Sequence, residues 1–273
     1  MLTAFLAQFA AGIFLAISVS DIRGCGWRYL RLMAIVSIAL AFVGLMIFVS
    51  GAGLDTTALL RAGPLLLAGG LLPGFIWLFV NAAQQEHVTS AQRLWPALAG
   101  LTCLASAIFF AMGPDTLLGG ASGDAAPASA LAIAATIANT ILGALMLGVL
   151  TSAMLLGHRY LTDTGMSIAP LRRLTILYLG VFVVRAIWSL ANAAPVWLTD
   201  FRPHESPMFF QIVLIARLGV GLAAAAVFAY MVWDCVKRRA TQSATAMFYL
   251  SMVLVFIGEL AGQFLMRSEG LAV

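Results

Sequence analysis

LMAIVSIALAFVGLMIFVS, residues 32–50, runs for nineteen residues without a charge or a proline. At 1.5 Å per residue a helix of that length covers about 28 Å, close to the roughly 30 Å of hydrocarbon in a bilayer. Runs of similar length and composition recur near 4–20, 62–81, 94–112, 129–156, 174–197, 208–233 and 245–266. In hydrocarbon every backbone N–H and C=O needs a partner within the protein, which leaves helical bundles and closed β-barrels. Barrel strands alternate apolar and polar residues over about ten positions. These runs are about twice as long and do not alternate, so the expected fold is all-α. Residues 1–273 are read as one polytopic transmembrane helical domain of about eight spans.

Composition agrees: 62% of the residues are apolar, 10% are charged, and the mean hydropathy is +1.02. A water-soluble domain carries about 25% charged residues. Lipid is therefore the first partner. The net charge of +4 does not point to nucleic acid, because the basic residues sit in short connections between spans. Arg23, Arg28, Arg31, Arg93, Arg159, Arg172, Arg173, Lys237, Arg238 and Arg239 fall in one set of alternate connections. Arg61, Arg202 and Arg267 fall in the other. Ten against three places the first set in the cytoplasm and both termini on the non-cytoplasmic side. Fourteen of the fifteen basic residues are arginine in an Ala-rich chain. That suits a GC-rich bacterial source, and hence a bacterial cytoplasmic (inner) membrane. The first run has no Lys or Arg before it and is followed by Asp21 and Arg23, so it reads as a span rather than a signal peptide.

Turn signals separate the spans at Gly24–Gly26, at 119–124 and at Arg202–Pro207. No internal repeat is visible. Two small-xxx-small pairs, Gly70/Gly74 and Gly258/Gly262, suit close helix packing. Cys25, Cys103 and Cys235 form no disulfide framework. Pairs of histidines at a common depth, as bis-His haem requires, are missing: His87 and His204 fall in connections on opposite sides and His158 ends the fifth span. Neither haem nor a metal is expected.

A charge at mid-membrane costs roughly 2.5–3.5 kcal/mol on insertion scales, so it needs a partner or a purpose. Arg185, Arg217 and Glu259 are the three that stand inside spans. They lie about 17, 14 and 21 Å from the starts of their spans, which puts all three in the middle-to-outer membrane. Ser189 and Asn192 lie one and two turns from Arg185, and Gln263 lies one turn from Glu259. Two guanidiniums against one carboxylate leave a spare positive charge, which suits an anionic group or a polarised carbonyl such as a quinone oxygen. Arg185, Arg217, Glu259, Gln263 and Asn192 therefore form the expected polar site. His158, with Arg159 and Tyr160, is either an interface anchor or a proton or quinol site near the cytoplasmic face. Lys237-Arg238-Arg239 determines topology first and is also a candidate contact for acidic lipid.

The last span contains Gly258-Glu259-Leu260-Ala261-Gly262-Gln263-Phe264-Leu265-Met266. It resembles the Gly-Glu-x-x-Gly-Arg-x-Leu-Phe-Tyr ending of the DmsC/NrfD-like membrane anchor subunits of DMSO-reductase-type molybdoenzymes. Gln263 stands at the arginine of that motif and Met266 at an aromatic. The resemblance implies a helical bundle, commonly of eight spans, that passes electrons between membrane quinone and an iron–sulfur partner without haem. It carries over Glu259 as a site residue. Three readings stay open: a quinone-interacting anchor subunit of a redox complex with an iron–sulfur or cytochrome partner, a small-anion transporter using Arg185, Arg217 and Glu259, and a non-catalytic structural or assembly subunit.

Overall fold

Each apolar run becomes a helix, because only the α-helix pairs all of its own backbone groups within one segment. The computed structural model describes residues 1–20, 22–52, 62–83, 91–112, 130–163, 165–198 and 201–273; Arg61, His87 and the 119–124 connection lie outside them. The long helices are α1 (Leu2–Val19), α2 (Trp27–Ala52), α3 (Ala62–Ala83), α4 (Ala91–Met112) and α5 (Ala130–Thr162). They continue with α6 (Ala169–Leu198), α7 (Pro207–Lys237) and α8 (Thr241–Ser268). A single turn, Ile22–Cys25, precedes α2. No strand occurs among the described residues.

The protein is thus a polytopic helical bundle of the expected class. Seven of these helices are long and apolar enough to cross a bilayer, and the apolar stretch of α3, Gly63–Phe79, is shorter. Their outward faces are apolar too: Phe79, Leu72, Ile187, Ile215 and Leu131 are each at least 63% exposed, which suits lipid and would aggregate in water. Several helices overrun the apolar runs. α6 begins five residues before 174 and takes in Arg172 and Arg173, since long basic side chains can hold a helix in the headgroup layer.

Two compact units divide the chain: Met1–Ile22 with Leu30–Gly148, and Arg23–Tyr29 with Val149–Val273. In the first, α1 is the central helix, two-thirds buried, and packs against α4, which also packs against α3. Gly12 of α1 meets α5 so closely that a Cβ on Gly148 would stand 2.1 Å from the Gly12 carbonyl. Ser37 of α2 donates to the Ala10 carbonyl at 2.7 Å, and Ser106 of α4 to that of Gly63 at 2.8 Å. On α3, Gly70 faces Cys103 and Thr102 of α4, whereas Gly74 faces Phe14 and Ile38.

In the second unit α8 packs against α7, and α7 against α6. Gly221 and Gly258 mark the α7–α8 crossing, where a Cβ on Gly221 would lie 2.4 Å from the Gly258 Cα. Tyr160, Ser167, Arg239 and Thr241 line one cavity, so the α5–α6 and α7–α8 connections share an end. His204 and Glu205 meet Glu269 at the other. The first end carries Arg159, Arg172, Arg173, Lys237, Arg238 and Arg239, and the second Arg202 and Arg267. That segregation within one folded unit is the pattern on which the expected orientation rests.

Gly148→Leu should lower the stability of the detergent-solubilised protein by more than about 3 kcal/mol, because backbone faces the new side chain and cannot yield. Gly69→Ala, with nothing within 4 Å of the new Cβ, should leave the unfolding midpoint unchanged or slightly raised. Equal midpoints for the two variants would contradict the α1–α5 contact.

Candidate functional site

The site is built on three stripes of helical period. On α6 the buried residues run Thr175, Tyr178, Phe182, Arg185, Ser189 and Ala193. On α8 they include Val255, Gly258, Glu259, Gly262 and Gln263. The middle of α7, Ala216–Ala224, is a π-helical stretch whose buried residues are Arg217, Gly221 and Leu222. π-helical turns are rare and concentrate at functional sites.

Glu259 is the hub. Arg185 grips it with two nearly parallel bonds, Nε to Oε1 at 2.9 Å and Nη2 to Oε2 at 2.9 Å. Arg217 donates from Nη1 to the same Oε1 at 3.0 Å and from Nη2 to Ser189 Oγ at 2.8 Å. Each of the three charged residues is only 1% exposed. Both carboxylate oxygens are therefore used, and the cluster keeps one net positive charge. The Nε–H of Arg217 is buried without a hydrogen-bond partner among the described residues.

Two glycines make room for Arg217. A Cβ on Gly262 would lie 3.1 Å from its Nε and 3.3 Å from its Cζ, and one on Gly258 would lie 3.5 Å from Nη1. The guanidinium lies close to α8 where two of that helix's residues lack side chains. The Gly258/Gly262 pair thus serves packing, as expected, and also forms one wall of the site.

The segment after α8 covers this region. Leu271 and Val273 are buried in a cluster with Ala193, Phe210, Leu214 and Leu265. Trp188 Nε1 donates to the Ala272 carbonyl at 2.9 Å, and the Val273 carbonyl lies 2.9 Å from the Cβ that Gly262 lacks. Glu269 clasps the segment to the connection before α7. It accepts from the backbone N–H of His204 at 2.8 Å and of Glu205 at 3.1 Å, with His204 Nδ1 3.3 Å away. Burial pushes the Glu269 carboxyl up, but these hydrogen bonds outweigh it and hold the group below the usual glutamate range.

The expected site residues separate into two groups. Arg185, Arg217 and Glu259 meet, and Gln263 lies on the same buried face one turn beyond Glu259. Asn192 does not join them: it is half-buried, and its Nδ2 donates to the Trp188 carbonyl of its own helix at 2.8 Å. Of the two polar neighbours expected beside Arg185, Ser189 is the one that bonds within the cluster. His158, expected apart from the cluster at the end of the fifth span, stands apart from it. It is exposed, with Nδ1 3.5 Å from the Tyr249 hydroxyl, and Tyr249 stands ten residues before Glu259, about 15 Å along α8. His158 and His204 lie at opposite ends of the unit, beside Tyr249 and Glu269, about 30 Å apart along α8. Among the described residues no group of His, Cys, Asp or Glu is placed to hold a metal. Sequence reading missed the Glu269 clasp, although the two parts of its signal, the turn at 202–207 and an acidic residue ending the last span, were both present.

Glu259→Leu should destabilise the protein by about 3–5 kcal/mol, because it leaves two guanidiniums buried without a counter-charge. Replacing all three charges (Arg185→Met, Arg217→Met, Glu259→Leu) should restore most of that loss, as read in denaturant titrations. If the triple variant is no more stable than the single one, the three groups are not a self-contained unit. A second expectation concerns pH. A carboxylate lowered on folding stabilises the fold fully above its unfolded value of about 4.3 and loses that contribution as pH falls through the folded value. Acidification below about pH 4.3 should thus release the Glu269 clasp, and Glu269→Gln should remove that part of the pH dependence.

No protein-family model, no curated protein and no solved structure matches the chain.

Proposed function

We propose that the protein is the membrane-embedded anchor subunit of a redox complex, carrying a partner subunit on the bilayer and meeting quinone at the Arg185–Glu259–Arg217 cluster. The observation that carries this reading is the position of Glu259. It belongs to the short stretch resembling the DmsC/NrfD-like anchors, and it is the hub of a buried cluster with an uncommitted Arg217 N–H. A quinone oxygen is an acceptor of the kind that such a donor lacks, and a net positive environment stabilises the charge that builds on it during reduction. A redox metal would come with the partner, an iron–sulfur or cytochrome protein. The site would contribute binding and electrostatics alone.

A second reading has its own support. Glu259 already uses both oxygens, and all three charged residues are sealed from solvent. On this reading the cluster fixes the register of α6, α7 and α8 in a structural or assembly subunit. The anion-transporter reading receives less support, because the carboxylate already occupies both arginines.

Purification from native membranes in mild detergent separates these readings. The redox reading expects stoichiometric quinone in solvent extracts, an iron–sulfur or cytochrome partner in the same peak, and loss of the quinone in Arg217→Gln with the partner retained. A partner-bound protein without quinone, unchanged by the triple apolar replacement, would leave the structural role in place and remove the redox one.

A further inference from the structure

At the basic end of the second unit, a cavity of about 330 Å³ is lined by Tyr160, Met166, Ser167, Ile168, Arg239 and Thr241. No acidic residue lines it among the described residues. Its volume is about ten times the share of one water in the liquid, enough for a phosphate group with a short ester arm. It lies at the ends of α5, α6, α7 and α8, where membrane-spanning helices meet the headgroup layer.

The polar groups are arranged to receive negative charge. Tyr160 is committed, donating its hydroxyl to the Ser167 carbonyl. Ser167 Oγ accepts from the Ala169 N–H at 3.4 Å, which leaves its own O–H free to donate. The neighbouring cations are partly spent: Arg238 pairs with Asp234 at 2.9 Å and Arg159 with Asp163 at 3.7 Å. Arg239 has no carboxylate partner among the described residues. It is also the only described non-glycine residue at positive φ, at 59°. That conformation is rare for an L-residue and would ordinarily be given to glycine or asparagine. Here it sets an arginine at the cavity.

The start of α8 adds a second positive element. The residue before it, Ala240, offers no side-chain cap. The Thr241 N–H is taken by the Arg239 carbonyl at 3.0 Å and the Ala244 N–H by that of Ala240 at 2.9 Å. The Gln242 and Ser243 N–H groups have no partner within the helix, at the positive end of a 28-residue dipole whose first residue, Thr241, lines the cavity.

We propose that this cavity binds a phosphate-bearing anion, held by the Arg239 guanidinium and by the hydroxyls of Thr241 and Ser167. A phospholipid headgroup and a soluble phosphate present the same chemistry. An anionic headgroup has the advantage of lying already at this depth, so it reaches the cavity without leaving the membrane.

The test uses the full chain in phosphatidylcholine nanodiscs. Phosphatidylglycerol is titrated in with bound lipids counted by native mass spectrometry, and inorganic phosphate is titrated separately with a thermal-shift readout. One saturable site is expected. Arg239→Gln and Arg239→Gly should each weaken it about tenfold, as loss of a charge-assisted bidentate contact implies. The glycine variant relieves the backbone at 239, so it separates lost binding from lost folding. Lys237→Gln and Arg238→Gln, outside the cavity lining, should change affinity by less than about twofold. Saturable phosphatidylglycerol that phosphate does not displace identifies the lipid as source. Saturable phosphate in phosphatidylcholine alone identifies the soluble anion. Wild-type affinity in both Arg239 variants, equal weakening in all four variants, or no saturable binding of either probe would overturn the proposal.

Discussion

A carboxylate or guanidinium moved from water into a low-dielectric interior loses several kcal/mol of solvation per ion, and three such groups are buried between α6, α7 and α8. They meet that loss on one another. Arg185 presents its planar fork to both oxygens of Glu259, which fixes the rotation of α6 against α8. Arg217 bonds Glu259 on one side and Ser189 on the other, which ties α7 to both neighbours at once. A rotation of α7 by a single residue, about 100°, would carry Arg217 out of the cluster toward lipid. The charges therefore act less as a source of net stability than as a constraint on register, since wrong pairings leave an ion bare in hydrocarbon.

That constraint is met only because the helices come unusually close. Between apolar helices in lipid there is no hydrophobic drive to associate, so backbone contact and polar pairing carry the packing. Gly221 against Gly258 lets α7 and α8 cross at backbone distance, and Gly262 lets the Arg217 guanidinium lie on α8 itself. The π-helical stretch Ala216–Ala224 works to the same end. A widened turn keeps Arg217 and Gly221 on the side facing α8, at the expense of regular backbone hydrogen bonding. In the first unit Gly12 and Gly148 do for α1 and α5 what Gly221 and Gly258 do here, with no charge involved.

The fold was legible because the bilayer acts on whole segments. A run such as 32–50 needs no partner to declare itself a span, and the three buried charges declare themselves by their expense. What depends on two segments meeting was harder to read. Asn192 and Ser189 both follow Arg185 at helical spacing, yet only Ser189 reaches Arg217. The buried stripe of α6 advances by fours, from Arg185 to Ser189 to Ala193, as it does where helices pack along their i±4 ridges. Which ridge is used is set by the crossing partner and is not written in α6 alone. The Gly12–Gly148 contact joins positions 136 apart, and neither glycine has a second glycine four residues away in its own helix. His158 was read as lying near the end of α5, apart from the cluster, and about 15 Å along α8 does separate the two.

The position of the cluster along α8 limits how any ligand could reach it. Glu259 stands nine residues, about 14 Å, before the helix ends at Ser268, and 18 residues, about 27 Å, after it begins. The nearer aqueous face is the one closed by the segment 269–273, held through Glu269, Trp188 and the apolar cluster around Leu271 and Val273. The Val273 carbonyl and the Arg217 Nε both lie within about 3 Å of the same missing Cβ at Gly262, so the unpaired N–H opens beneath this cover. A water-borne anion would have to displace the segment and break the Glu269 clasp first. The lateral side is closed as well, since Arg185, Arg217 and Glu259 are each only 1% exposed. The segment 269–273 that completes the packing of the cluster is thus also what closes its nearer aqueous face.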